Sequence, residues 1–117
     1  MNRTVSIVTS IKKDIQSMDE GADKQVLLRL AAEAEFMAKE LKKLRADIKK
    51  NGWTEEYQNG QNQRGIKKSS AGEVYNTLVK NFRETCALAL KYIYDAKTAA
   101  AKTDELSEFL KQNKKGG

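Results

Sequence analysis

Histidine and proline are missing from this 117-residue chain, and cysteine occurs once. Without His there is no His-based catalytic triad, no imidazole general base and no His-containing zinc site. Cys86 on its own can form neither an internal disulfide nor a Cys-cluster metal centre, and that usage points to a reducing compartment. The lack of proline leaves long helices free to run uninterrupted. No apolar run approaches the roughly 20 residues that span a bilayer. The start, MNRTVSIVTSIKKD, lacks a basic segment followed by an unbroken apolar stretch, so no signal peptide is expected. The length suits one compact domain and excludes a large multi-domain enzyme.

What is present is charge and helical pattern. Lys and Arg number 22 against 16 Asp and Glu, a net charge of +6, with 32% charged and 39% hydrophobic residues. That is too apolar for a disordered chain and thin for a thick monomeric core. Such a balance suits long helices that complete their burial against copies of the same chain, and the positive balance favours an anionic partner.

The first segment, residues 1–21, places Val8, Ile11, Ile15 and Met18 at helical spacing, and Gly21 suits a left-handed C-terminal cap. Its β-branched residues lower helix propensity, so this helix needs tertiary support. From Asp23, an N-cap candidate, the series Leu27, Leu30, Ala34, Met37, Leu41, Leu44 and Ile48 alternates threes and fours. Val26, Ala31, Phe36 and Ala38 widen the stripe, and Asn51-Gly52 ends it. Residues 52–69 change character. Trp53, Glu55 and Tyr57 alternate with Thr54, Glu56 and Gln58, and Asn59-Gly60 is the preferred type I′ turn pair, so a small β-hairpin is expected. Ser70 with Glu73 fits a capping box, and Tyr75, Leu78, Phe82, Thr85, Ala89, Tyr92 and Ala96 continue a second long helix, with Val79, Cys86, Leu90 and Ile93 as another edge. The two long helices should pair antiparallel over residues 22–98. Residues 99–117 read as a separate tail: Ala99 to Ala101 as a thin connection, then a short helix capped by Thr103 and carrying Leu106, Phe109 and Leu110. No repeat of solenoid length is present. The expected fold is all-α: an antiparallel helical hairpin with short N- and C-terminal helices and a small β-hairpin at its tip.

Little here can do covalent chemistry. The run from Gly60 to Ser69 invites a phosphate-loop reading, but Ile66 stands where that pattern requires Lys. Glu55 and Glu56 point to opposite strand faces, and no carboxylate set assembles a two-metal site. No enzyme activity, cofactor or metal is expected. Trp53 and Tyr57 could stack on bases or cover Ile66 and the start of the following helix. Cys86 reads as a buried small hydrophobe. The cations are the stronger signal. Lys39, Lys42, Lys43, Arg45, Lys49 and Lys50 are opposed by two acids in their window, and Arg64, Lys67 and Lys68 form a second cluster. With the helices paired, both clusters fall near one end, a footprint for DNA phosphates; a solvated helix face is the alternative.

The stretch NGWTEEYQNGQNQRGIKKS, residues 51–69, continuing through Glu73-Val74-Tyr75-Asn76-Thr77, resembles the small terminase subunits of tailed bacteriophages, in particular the short variety of HK97-like siphophages. The likeness covers roughly residues 24 to 93. It implies a viral genome-packaging role in the cytoplasm of the infected host: a homo-oligomeric ring, of about nine subunits in closed symmetry, that binds double-stranded viral DNA and recruits and regulates the large terminase subunit, which holds the ATPase and nuclease. The ring would be sealed by Leu27, Leu30, Met37, Leu41, Leu44, Leu78, Phe82, Leu90 and Ile93, and the large subunit docked by Leu106, Phe109 and Leu110. DNA contacts would be to phosphates more than base edges. Two other readings stand beside it: a generic oligomeric helical DNA-binding protein, and a secreted WXG-type helical hairpin, whose interhelix turn carries Trp-x-Gly where this chain has Gly52-Trp53 and a long connection.

Overall fold

The computed structural model describes residues 3–60 and 63–115. Its elements are α1 (Arg3–Gln16), α2 (Ala22–Asn51), β1 (Thr54–Gln58), β2 (Arg64–Lys68) and α3 (Ser70–Lys115). Helix α2 and the first part of α3 form the antiparallel hairpin expected from their apolar periods, and α1 packs against both.

The β-branched α1 is held by what it buries. Val8, Ile11 and Ile15, one helical face, are 5%, 1% and 0% exposed. They insert between Leu27, Ala31, Ala34, Met37 and Leu41 of α2 and Phe82, Cys86, Ala89 and Ile93 of α3. The three alanines let the helix axes approach closely. Two ion pairs mark the edges of this wedge: Lys12 Nζ to Glu35 at 2.9 Å toward α2, and Lys97 Nζ to Asp14 at 3.6 Å toward α3. Cys86 is buried as expected, and burial pushes its thiol pKa up.

Helix ends differ in detail from the sequence expectation. Helix α1 stops at Gln16, and its last turn closes through Met18 N–H to the Ile15 carbonyl. Gly21 is therefore not its left-handed cap; Gly21 is extended (φ 161°, ψ −176°) and stands before α2, accepting Gln25 N–H at 3.2 Å. Asp23 falls inside the first turn, where it favours the helix dipole without capping. At the other end Gly52, at φ 88°, adopts the left-handed region that L-residues avoid, and its N–H donates to Ile48 O at 2.7 Å.

The tail is not a separate helix. Helix α3 runs unbroken from Ser70 to Lys115. Ala99 to Ala101 are the strongest helix formers, so nothing interrupts the chain, and Thr103 Oγ1 donates back to the Ala99 carbonyl at 3.0 Å instead of capping a new helix. Residues 101–112 are all exposed. The molecule is a rod of 92 × 25 × 21 Å: a three-helix body, a two-helix segment ending in the β-hairpin, and a lone length of α3 at the far end.

The residues assigned to seal a ring are mostly consumed inside one chain. Leu27, Met37, Leu41, Phe82 and Ile93 belong to its own core, and Leu30, Leu44 and Leu78 are half-buried. Leu90, at 48% exposure, is the one member of that set left on the surface. The period identified the buried stripe, but α1 and the hairpin partner already satisfy it.

Replacing Ile15 by Ala should cost about 2–5 kcal/mol in urea unfolding, the range for emptying a tight apolar site. The Lys12 ammonium beside Glu35, with Lys39 adding to it, holds the Glu35 carboxyl below its ordinary value. A lowered carboxylate pKa stabilises the fold above the unfolded value and loses that contribution as pH falls through the folded one. Glu35→Gln should therefore slightly flatten the acid limb of a thermal-midpoint-against-pH profile, the effect being small because the pair is exposed.

Candidate nucleic-acid interface

The segment between α2 and α3 is organised around its base. Antiparallel pairing sets Thr54 against Lys68, Glu55 against Lys67, Glu56 against Ile66, Tyr57 against Gly65 and Gln58 against Arg64. The turn is wider than the two-residue form expected from Asn59-Gly60. Asn59 N–H donates to Gln63 O at 2.8 Å and Gly60 has φ 76°, and the outermost pair is Gln58 with Arg64, where β2 begins; residues 61 and 62 lie outside the described residues. Gly65 lies in β2 because the Tyr57 ring crosses it: a Cβ there would stand 2.7 Å from that ring.

At the base, Ser69 N–H donates to Trp53 O at 2.8 Å, so the two strands leave and rejoin the helices at one point. Ser69 also caps α3. Its Oγ accepts Gly72 N–H at 3.0 Å and its carbonyl accepts Glu73 N–H at 3.0 Å. The cap is thus one residue earlier than the Ser70–Glu73 box, which does not form because the third helical position is Gly72. That position admits no side chain comfortably; a Cβ would lie 3.1 Å from Ser69 Oγ and 3.2 Å from the Trp53 ring. Trp53 meets Tyr75 edge to face, centroids 5.7 Å apart, and Arg45 Nη2 donates to Tyr75 Oη at 3.2 Å. Hairpin, α3 and α2 are joined through these three side chains. The sequence signal for this clamp was a glycine in the first helical turn downstream of a lone tryptophan.

The expected cover over Ile66 is not there. Trp53 does pack on the start of α3, but Ile66 is 72% exposed. It pairs with Glu56, and side chains alternate along a strand, so Tyr57 and Ile66 lie on opposite faces of the ribbon.

All nine cations assigned to DNA are exposed. On α2, helical geometry sorts Lys39, Lys43 and Lys50 onto one ridge and Lys42, Arg45 and Lys49 onto another. From Lys39 to Lys50 the ridge runs about 16 Å at 1.5 Å per residue. The hairpin continues outward from that end: Lys68 is at its base and Arg64, four residues on, about 13 Å farther out. Arg64 and Lys68 share a ribbon face and Lys67 takes the other. The result is a strip along the rod, not a pocket.

Some of these charges are engaged. Lys39 lies 3.8 Å from Glu35, Lys43 3.4 Å from Glu40 and Lys67 3.4 Å from Glu55, while Arg45 is held by Tyr75. Among the described residues, Lys42, Lys49, Lys50, Arg64 and Lys68 have no carboxylate within 4 Å. Five unneutralised cations concentrated at the hairpin end are chemically suited to a row of phosphates. Among the described residues, no three Cys, Asp or Glu side chains gather in a metal-holding group, and no helix is long and apolar enough to cross a membrane.

Ser69→Ala should cost about 1 kcal/mol, the usual value of a lost helix cap, read by thermal unfolding with helical circular dichroism unchanged at low temperature. Trp53 is the single tryptophan, so its emission should shift in the same variant.

Comparison with known protein families, with curated proteins and with solved structures finds no match for this chain.

Proposed function

We propose that the chain is a non-catalytic DNA-packaging adaptor of the small-terminase kind. It binds double-stranded viral DNA through phosphate contacts along the strip formed by the C-terminal half of α2 and the hairpin. It does so as a homo-oligomer, a ring being the assembly that the resemblance of residues 51–69 implies. It presents bound DNA to a large terminase subunit, which supplies the ATPase and nuclease. The observation that carries the reading is the excess of exposed cations at the hairpin end, nine Lys and Arg against four Asp and Glu over residues 39–69, with Lys42, Lys49, Lys50, Arg64 and Lys68 having no carboxylate within 4 Å among the described residues. The exposed length of α3 beyond Ala101, with Leu106, Phe109 and Leu110 each more than half exposed, is the candidate for engaging the large subunit, as an amphipathic helix entering a groove. The site of action would be the infected cell's cytoplasm.

A generic helical DNA-binding protein shares the strip and differs in lacking a packaging partner. The WXG-type reading is weakened by the paired strands that separate α2 from α3, in place of a tight interhelix turn.

Fluorescence anisotropy with a short duplex tests the strip. The logarithm of affinity should fall linearly with the logarithm of salt. The triple variant Lys49→Ala, Lys50→Ala, Lys68→Ala should bind more weakly and with a slope shallower by about three, near one for each phosphate no longer neutralised. Salt-independent binding, or an unaffected triple variant, rejects the proposal. Removing residues 103–117 should abolish stimulation of the large subunit's ATPase while sparing DNA affinity; retained stimulation removes the docking role of the arm and, if no stimulation occurs even with the full chain, the generic DNA-binding reading prevails.

A further inference from the structure

One face of α3 has no cover within its own chain. Helix α1 packs on the side of α3 that carries Cys86, Ile93 and Lys97. On the side away from α1 runs a stripe that includes Val74, Thr77, Leu88, Tyr92, Ala99 and Thr103, with Val74, Leu88 and Tyr92 53%, 41% and 47% exposed. Val26 of α2, also 53% exposed, borders a shallow groove with Tyr92 and Ala99. The stripe repeats every eleven residues, as in Thr77, Leu88 and Ala99, and eleven residues make three turns and about 20° more, so it drifts only slowly around a straight helix.

Beside it lies a line of charge with the same period. Glu73, Glu84 and Asp95 are eleven apart, and so are Lys80, Lys91 and Lys102. The signs alternate along the axis. All six side chains are exposed, and among the described residues none has an opposite charge within 4 Å. Asp14, Glu20, Glu35, Glu40 and Glu55 are paired within the chain; among the described residues Glu73, Glu84 and Asp95, like the remaining acids, are left available.

The order of the signs selects the occupant. About a midpoint between Ala87 and Leu88, Glu84 and Lys91 are equally distant on either side, as are Lys80 and Asp95, and Glu73 and Lys102. Every acid is the mirror position of a lysine. Two helices packed antiparallel about a two-fold axis present the same flank to each other. A parallel partner would instead present its opposite flank, which here belongs to α2. We infer that the uncovered face of α3 is the contact between two copies of this chain, antiparallel about a two-fold axis near Leu88, with Glu84 facing the partner's Lys91, Lys80 facing its Asp95 and Glu73 facing its Lys102. The paired length from Glu73 to Thr103 is about 45 Å at 1.5 Å per residue. The apolar stripe closes against itself while six ion pairs line one rim; a parallel partner loses this facing of acids and lysines, and sliding by one eleven-residue period keeps four of the six pairs, so the centred register is favoured. The contact joins chains in twos, so assemblies built with it hold an even number of subunits and depart from a ring of nine. It does not depend on DNA binding.

Sedimentation equilibrium of the full chain and surface charge variants tests it. Wild type should associate at least to a dimer. Glu84→Lys and Lys91→Glu should each weaken association about tenfold or more, because two symmetry-related attractions become repulsions. Together they should restore it to within about threefold of wild type. Glu84→Lys combined with Lys102→Glu has the same net charge but leaves like charges facing, and should stay weak. In a Cys86→Ala background, Leu88→Cys should oxidise to a disulfide dimer, since the axis passes beside that position. A single chain at all concentrations, single variants without effect, a mismatched combination that restores as well as the matched one, or no Leu88→Cys cross-link would each overturn the pairing. Duplex affinity of the same variants, measured apart, reports on the cationic strip alone.

Discussion

Three side chains of a short helix decide the shape of this molecule. Val8, Ile11 and Ile15 give α2 and α3 a third apolar surface to close on, and they do so on one side only. A helix pair alone has two faces to cover; with α1 on the first, the second stays open to solvent along the whole of α3. The buried side of the rod and the uncovered stripe both follow from that asymmetry. The wedge also explains how a β-branched sequence stays helical: burial of side chains worth roughly 1.5–3 kcal/mol each outweighs a modest local preference.

Much of the architecture could be read from the residues. The alternating threes and fours of α2, the Asn51-Gly52 stop, the strand alternation after Trp53 and the core role of Cys86 are local patterns that burial enforces directly. The errors have physical causes. A cap is chosen by which hydroxyl reaches an orphan N–H, and Ser69 wins over Ser70 because the chain is already pinned there through Trp53 O. The break expected at Ala99 rested on thinness, whereas helix continuity depends on backbone propensity. The assignment of Ile66 to a shared apolar face overlooked strand parity.

The candidate interface was legible as charge and not as geometry. Counting placed Lys39 through Lys50 and Arg64 through Lys68 together, and chain order set them near one end. Which cations are already neutralised depends on side-chain partners such as Glu35, Glu40 and Glu55, and on Tyr75 beside Arg45, none of which adjacency in sequence reveals. The seam residues show the converse limit. A heptad pattern states that a stripe is buried; it does not say whether the same chain or a neighbour buries it.

The free length of α3 has a consequence for how the molecule breathes. From Ala101 to Gln112 every described side chain is exposed, so only the hydrogen-bond ladder of a single helix holds this stretch, and an isolated helix of that length is marginal in water. Its opening is uncoupled from the wedge of α1, and its amide protons exchange with solvent on their own schedule, well ahead of those beneath Ile15. The end of α3 is thereby a gauge built into the chain: slow exchange there means that something outside this rod is holding it.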